Sequence, residues 1–239
     1  MTQPSASGHA SMPLPLYQQV SEMLIRDIAA GRLADGARLP PERDMAASLG
    51  IAVGTLRRAL ADLQAKGLLD RVQGSGNYVR AQPDPQSVYA MFRLELAEGG
   101  GLPTARVLSV DRLAKPPTLP DFGSPDGHRI RRLRLLSGRV AAVEEIWLDT
   151  GFAEKVLPSD LSDSLYLFYR MRLGLWIARA EDRVGQGPLP DWAPPDFPWP
   201  PGTPLPEILR LSWAQDGRPA EISLTWYDPA TVRYVARLK

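Results

Sequence analysis

The sequence contains no cysteine and only two histidines, His9 and His128. Disulfide bonds and thiolate chemistry are therefore excluded, and a metal site made of histidine and cysteine ligands is not expected. The absence of cysteine is compatible with a reducing compartment. We predict no bound metal and no other cofactor.

Net charge and long apolar runs are lacking as well. Lys and Arg total 28 against 27 for Asp and Glu, so the formal net charge is +1. A near-neutral chain gives no global signature of nucleic-acid binding, although a small DNA-reading module needs only a local basic patch. The sequence has no run of about 18 apolar residues and no signal-peptide pattern. We expect a soluble cytoplasmic protein with no membrane partner, of one large or two small domains.

The first third of the chain has the periodicity of helices. Residues 1–13 are rich in Ser, Gly and Pro and are predicted to be a disordered tail. Helices are predicted over Leu14–Ala30 and Glu42–Leu49, and a third begins near Thr55. The first has an apolar ladder at four-residue spacing: Leu16, Val20, Leu24 and Ile28.

The third helix has two different faces. Leu56, Leu60 and Leu63 share one face, which must pack against a core. The remaining surface carries small residues, a hydroxyl and two guanidinium groups: Gly54, Thr55, Arg57, Arg58 and Ala61. Such a surface can lie in a DNA groove, although a solvated helix is the simpler interpretation.

Two short, tightly joined helices form a helix-turn-helix arrangement, and a hairpin predicted over Leu68–Val79 adds a wing. Short motifs follow one another through residues 14–80: Pro15-Leu16-Tyr17, Gly36-Ala37-Arg38-Leu39-Pro40, Glu42-Arg43, Thr55-Leu56-Arg57-Arg58-Ala59-Leu60, Gly67-Leu68 and Gly74-Ser75-Gly76-Asn77-Tyr78-Val79. In order and spacing they resemble the winged helix-turn-helix of GntR-family bacterial transcription regulators. The resemblance implies DNA contacts from the second helix, the recognition helix and the wing tip: Arg43, Thr55, Arg57, Gln73 and Gly74. Arg58 adds charge on the outward face of the recognition helix and is expected to contact phosphate rather than a base.

Besides Asn77, which replaces a Thr of the wing, three positions depart from the family pattern. Ala52 and Val53 occupy positions where the family has Ser or Thr followed by Arg, and Pro41 replaces a Ser. The first departure removes an arginine–guanine contact worth about 1–3 kcal/mol of discrimination. The second removes a side-chain N-cap worth about 1 kcal/mol. We therefore expect an operator that differs from the common GntR consensus.

Residues 81–86 are predicted to be a linker, and residues 87–239 have the pattern of strands. One amphipathic helix is expected over Asp160–Leu173. A loop rich in Pro and aromatic residues is expected over Gly187–Pro206, and we favour a surface insertion over a lid. The predicted strands include Arg129–Leu136, Val140–Leu148, Leu175–Val184, Glu207–Gln215 and Pro219–Tyr227.

Strand alternation places Arg132 and Arg134 on one face, and puts Glu221 and Tyr227 in a polar row on the last strand. Both rows could be solvated, or they could line a pocket that holds a carboxylate or phosphate. The ordered motifs Arg132-Leu133-Arg134, Glu144, Ser164-Leu165-Tyr166, Gly217-Arg218-Pro219-Ala220-Glu221 and Tyr227 resemble the UTRA effector domain of HutC-type GntR regulators. The resemblance implies an α+β fold with a chorismate-lyase-like antiparallel sheet and helices. It also implies an effector pocket formed by Arg132, Arg134, Glu144, Ser164, Tyr166, Glu221 and Tyr227.

From the resemblance we expect a ligand-responsive regulator, a repressor, that forms a homodimer on double-stranded operator DNA. Residues 89–101 contain no Ser or Thr, which family members use to hold a phosphate, so a small carboxylate or zwitterion is favoured over a sugar phosphate. Two alternatives remain open. One is an enzyme related to chorismate lyase and fused to a DNA-binding head, although we predict no enzymatic activity. The other is a constitutive DNA-binding protein whose C-terminal domain only dimerises.

Overall fold

A computed structural model describes residues 15–29, 31–80 and 91–236. The predicted tail at 1–13 and the predicted linker at 81–86 lie outside these ranges. The described chain forms two compact units. Among the described residues, the helical unit contains those up to Leu102 and those from Tyr234, and the sheet unit runs from Pro103 to Arg233. No helix in the described ranges is long and apolar enough to cross a membrane.

The helical unit is built on the predicted three helices, α1 (Leu16–Ala29), α2 (Glu42–Ser48) and α3 (Val53–Ala65). Its core joins the apolar faces of α1 and α3, where Leu56 and Leu63 are fully buried. The N-terminal ends of α2 and α3 have no side-chain cap. This agrees with Pro41 and Ala52 standing at the N-cap positions, because neither residue has a side-chain oxygen.

The predicted hairpin follows α3 and consists of strands β1 (Leu69–Val72) and β2 (Gly76–Val79). The two strands pair antiparallel, and Val72 lies opposite Gly76. Gly74 in the tip has φ +77°, a backbone conformation that glycine adopts without steric cost. A short strand, β3 (Leu94–Leu96), also belongs to the helical unit.

The sheet unit contains one six-stranded antiparallel sheet. Its strand order is β4-β5-β6-β9-β8-β7. Neighbouring strands are consecutive in the chain except where β6 pairs with β9 at the centre. The bounds are β4 (Pro103–Ala114), β5 (Asp126–Leu136), β6 (Arg139–Asp149), β7 (Ile177–Pro188), β8 (Pro204–Ala214) and β9 (Pro219–Tyr227), followed by a short β10 (Val232–Tyr234).

The single helix predicted over Asp160–Leu173 is wrong at its start. A 3-10 turn covers Pro158–Asp160, and the helix α4 begins only at Leu165 and ends at Phe168. A π-helical turn then covers Tyr169–Leu173. The helix starts late because Ser164 is its N-cap, and the Ser164 hydroxyl accepts a hydrogen bond from the backbone N–H of Leu167.

The Pro-rich segment is shorter than predicted, because β7 extends to Pro188 and β8 begins at Pro204. Its buried Phe197 packs with Leu133 and Val143 of the sheet. Trp192 lies edge-on to Trp226, with ring centroids 6.1 Å apart. Since strand neighbours alternate between faces, this face is opposite to the one that carries Arg132, Arg134 and Glu144. The Pro-rich segment therefore covers the face of the sheet that lies opposite Arg132, Arg134 and Glu144. Such packing is what we expect of a surface insertion.

Candidate functional sites

The helical unit presents a row of exposed cations on α2 and α3. Arg43, Arg57 and Arg58 are exposed, and Thr55 is half-buried beside them. We call these four residues, with Gln73 and Gly74 at the exposed wing tip, the recognition surface. All six come from the sequence prediction, and the fold leaves all six at least partly accessible.

Glu42 connects the recognition helix with the wing. Arg57 Nε donates to Glu42 Oε2 at 2.7 Å, and Arg71 Nη2 on β1 donates to Glu42 Oε1 at 3.1 Å. The hydrogen bond from Arg57 lowers the pKa of Glu42 below its ordinary value. Arg57 and Arg71 remain 60% and 54% exposed, so Glu42 orients both guanidinium groups without burying them.

Two further cations lie near this surface. The Arg58 guanidinium stacks over the ring of Tyr17 on α1, 4.2 Å from its centroid, which fixes the side chain without neutralising its charge. Arg38 is exposed and lies against the wing, where its Nε would be 3.1 Å from a Cβ added to Gly76. Neither Arg38 nor Arg71 was predicted from the sequence to contact DNA. Arg38 lay inside one of the quoted motifs, but nothing in its residue type distinguished it from other surface arginines.

In the sheet unit, two arginines enclose one carboxylate. Arg132 on β5 lies opposite Glu144 on β6 in the strand register. Arg132 Nη2 donates to Glu144 Oε2 at 2.6 Å, while Arg134 donates to both carboxylate oxygens, at 3.0 and 3.2 Å. All three residues are buried. Burial raises the pKa of Glu144, but the two guanidinium groups outweigh it and hold the pKa at about 2. We call Arg132, Arg134 and Glu144 the ionic cluster.

The segment before α4 contacts this cluster. The carbonyl oxygen of Asp163 accepts from Arg134 Nη1 at 3.0 Å and from Arg132 Nη1 at 3.4 Å. Ser164, the next residue, is buried at the N-cap of α4. The fold therefore brings four of the predicted effector residues to one place.

A second buried group surrounds Glu221 on β9. Tyr169 donates its hydroxyl to Glu221 Oε2 at 2.5 Å, and the Tyr166 hydroxyl lies 3.1 Å from Ser212 Oγ and 3.4 Å from Glu221 Oε1. Burial raises the pKa of Glu221, against the effects of Tyr169, Arg210 and Arg132. Because Arg132 belongs to the ionic cluster and its charge acts on Glu221, the polar group around Glu221 and the ionic cluster share one electrostatic environment.

Tyr227 is buried on the same face of β9 as Glu221, opposite Ala142 of β6. Neither Tyr169 nor Arg210 was predicted from the sequence. Arg210 forms a bidentate ion pair with Asp182, at 2.6 and 2.7 Å. Strand alternation could have placed Arg210 on this face. Tyr169 gave no such signal, because it was assigned to the apolar side of a longer helix.

Two family models match the chain. The model described as "Bacterial regulatory proteins, gntR family" matches residues 16–79, and the model described as "UTRA domain" matches residues 98–233. The chain belongs to the GntR family of bacterial transcription regulators. Its C-terminal part is a UTRA domain, and it is a DNA-binding regulator rather than an enzyme.

Curated relatives of this GntR protein have matching names. It is 61% identical over 232 residues to "HTH-type transcriptional regulator SmoD" of Agrobacterium fabrum, covering 97% of this chain and 99% of that protein. It is 27% identical over 235 residues to "HTH-type transcriptional repressor NagR" of Bacillus subtilis, covering 95% and 97%. Among solved structures, the possible transcriptional regulator YydK of Bacillus subtilis has a TM-score of 0.52 at 20% identity, over 95% of this chain and 100% of that chain. This last likeness concerns the fold alone.

Proposed function

We propose that this GntR protein is a repressor whose UTRA domain binds a small anionic or zwitterionic metabolite, and that this binding changes its affinity for operator DNA. The observation that carries the proposal is the buried ionic cluster. Removing three charges from water is costly, and well-packed apolar residues of similar volume are often at least as stable. Clusters that combine burial with strongly perturbed pKa values occur preferentially at functional sites.

The ligand class follows from the groups in the cluster and around Glu221. Guanidinium groups hold a carboxylate in bidentate geometry, and carboxylates accept hydrogen bonds from amines or hydroxyls. An incoming anion would replace Glu144 as the partner of Arg132 and Arg134, and Glu144 could then accept from a donor on the ligand. Two arginines and two glutamates suit a zwitterion better than a dianionic phosphate.

The recognition surface is the proposed DNA contact. We assign base reading to Thr55 and Arg57, backbone or base contacts to Arg43, and phosphate contacts to Arg58. Gln73 and Gly74 would enter the minor groove. Two operator half-sites require two paired heads, so we propose a homodimer. Residues 14–80 are assigned to DNA binding and residues 87–239 to effector binding, with 81–86 between them.

The response would follow from linkage. An effector that binds two conformations of the regulator unequally shifts their populations, and operator affinity changes by the same coupling factor. The relative NagR is named a repressor, which supports the same role for this chain.

Arg134→Ala tests the proposal. Operator duplexes are selected from a random pool with the wild-type protein, and candidate effectors are screened by calorimetry and thermal shift. The screen compares amino-acid catabolites with sugar phosphates. The variant should bind the selected operator normally and lose its response to any effector found, because half of the guanidinium pair is missing.

Three outcomes would contradict the proposal. A retained response in Arg134→Ala would remove Arg134 from the site, and binding of sugar phosphates alone would overturn the ligand class. Operator affinity that no metabolite changes would favour a constitutive DNA-binding protein.

A further inference from the structure

Two buried polar atoms, one in the ionic cluster and one in the residue that contacts it, have no hydrogen-bond partner among the described residues. They are Nε of Arg132, a donor, and Oδ2 of Asp163, an acceptor. Each residue is 3% exposed. Buried polar groups in native proteins are nearly always hydrogen-bonded, so each such atom requires an explanation.

Both atoms belong to one local arrangement. The Asp163 carbonyl oxygen accepts from Nη1 of Arg132 and from Nη1 of Arg134, so the backbone of Asp163 is fixed against the cluster. Covalent geometry therefore keeps the Asp163 carboxylate within one residue's length of the Arg132 guanidinium.

The two oxygens of the Asp163 carboxylate differ in their contacts. Oδ1 accepts from the backbone N–H of Ala105 on β4 at 2.8 Å, which holds the side chain in place. Oδ2 accepts no hydrogen bond from any described residue. An immobile carboxylate with one uncommitted oxygen is a preorganised acceptor, since no conformational freedom is left to be lost on binding.

We propose that Asp163 is a ligand-binding residue of the effector site. Oδ2 accepts a hydrogen bond from a hydroxyl or ammonium group of the effector, and the effector's anionic group accepts from Arg132 Nε. This inference rests on the proposed function and narrows its ligand class. The effector is a small acid that carries a donor close to its anionic group, and a simple acid without that donor is rejected.

The charges around the site fit this class. Arg132 and Arg134 contribute two positive charges, and Glu144 and Asp163 contribute two carboxylates. An acid without a donor would satisfy an arginine and leave the Asp163 oxygen unpaired. A site that loses a hydrogen bond in this way discriminates strongly, because the unpaired group stays buried.

The test uses the full chain and three probes of similar size: propionate, which has no donor, lactate, which has a hydroxyl, and alanine, which has an ammonium group. Affinities are measured by calorimetry and by ligand-observed NMR. Lactate or alanine should bind the wild type about tenfold more tightly than propionate, as expected for one hydrogen bond to a charged group. Whichever of the two binds better identifies the donor.

Asp163→Asn should abolish that preference. Asparagine retains an oxygen that can accept from Ala105 N–H, but it replaces Oδ2 with an amide donor and removes the charge. Asp216→Asn is the control, because Asp216 also accepts from a backbone N–H, that of Arg218, and lies in the turn between β8 and β9 rather than at the site. The control should keep the wild-type preference.

The inference is overturned if neither lactate nor alanine binds the wild type more tightly than propionate, or if Asp163→Asn keeps the preference. The wild-type ranking needs no variant, so an absent preference for the donor-bearing acids overturns the inference even if Asp163→Asn does not fold. DNA affinity is measured separately. Probe binding through Asp163 without any metabolite-dependent change in DNA affinity would sustain this inference and overturn the proposed effector response. A change in DNA affinity caused only by acids that lack the donor would overturn this inference and sustain the proposed effector response.

Discussion

Two arginine–glutamate pairs of nearly equal length occur in the two units. The distance from Arg57 Nε to Glu42 Oε2 is 2.7 Å in the helical unit, and the distance from Arg132 Nη2 to Glu144 Oε2 is 2.6 Å in the sheet unit. The Arg57 side chain is 60% exposed, whereas that of Arg132 is 4% exposed. The same chemistry at the same distance is therefore surrounded by water in one unit and by protein in the other.

Burial rather than geometry determines what each pair can do. An exposed ion pair contributes about 0–1 kcal/mol, so a DNA phosphate or base can replace Glu42 at little cost. A buried pair has already lost its hydration, and breaking it leaves an uncompensated charge. Arg57 is thus available to an external partner at all times. In the proposed function, the guanidinium groups of the ionic cluster would exchange partners only for a ligand that supplies an equivalent anion.

The largest expected effect comes from removing the carboxylate of the buried pair. Glu144→Gln leaves Arg132 and Arg134 buried without their counter-charge, and it should lower the free energy of unfolding by about 3–5 kcal/mol. Denaturant unfolding measures this loss. The matched change Glu42→Gln should cost about 1 kcal/mol or less. Equal losses in the two variants would contradict the comparison.

The pH dependence of the Glu144→Gln effect provides a second measurement. The pKa of Glu144 falls from an ordinary 4.5 to about 2 in the folded protein. A lowered pKa stabilises the folded state fully above the unfolded value, and the stabilisation disappears as the pH falls through the folded value. The difference in stability between wild type and Glu144→Gln should therefore be constant above pH 4.5 and shrink towards pH 2. A difference that grows on acidification would contradict the assignment.

A smaller effect is expected from the exposed pair, and it should appear in DNA binding. Arg57→Ala should weaken binding to the selected operator by about 1–3 kcal/mol and relax the preference at one base position. Stability should change little, since Arg57 is exposed. Competition with operator variants measures both quantities. If the loss is the same on every sequence, Arg57 contacts a phosphate rather than a base.

Periodicity predicted the elements of both units because apolar spacing directly records which side of a helix or strand is buried. It identified α1 to α3 in the helical unit and the central strands of the sheet. It did not find the start of α4. There the helix was expected to begin at Asp160, whereas the hydroxyl of Ser164 caps the helix and determines that it begins at Leu165.

The candidate effector site was predicted only as far as motifs and strand alternation extend. Strand alternation placed Arg132 and Arg134 on one face, and the resemblance to the UTRA domain assigned both of them and Glu144 to the effector site. Asp163 and Tyr169 were missed because their roles depend on an irregular segment and on a π-helical turn, whose directions no periodic pattern encodes. Such segments meet the sheet through tertiary packing alone.

The smallest expected effect concerns Arg38, the exposed arginine beside the wing. Arg38 lies against Gly76 and forms no ion pair with any described residue, so it can reach a DNA phosphate without breaking an existing contact. Arg38→Ala should weaken binding to duplexes of unrelated sequence about equally and reduce the slope of log affinity against log salt by about 1. Fluorescence anisotropy across a salt series measures that slope. Arg183→Ala, which removes a similarly exposed arginine from the sheet unit, is the control and should leave it unchanged. An unaltered slope in Arg38→Ala would exclude a phosphate contact, and a loss confined to one sequence would assign Arg38 to base reading.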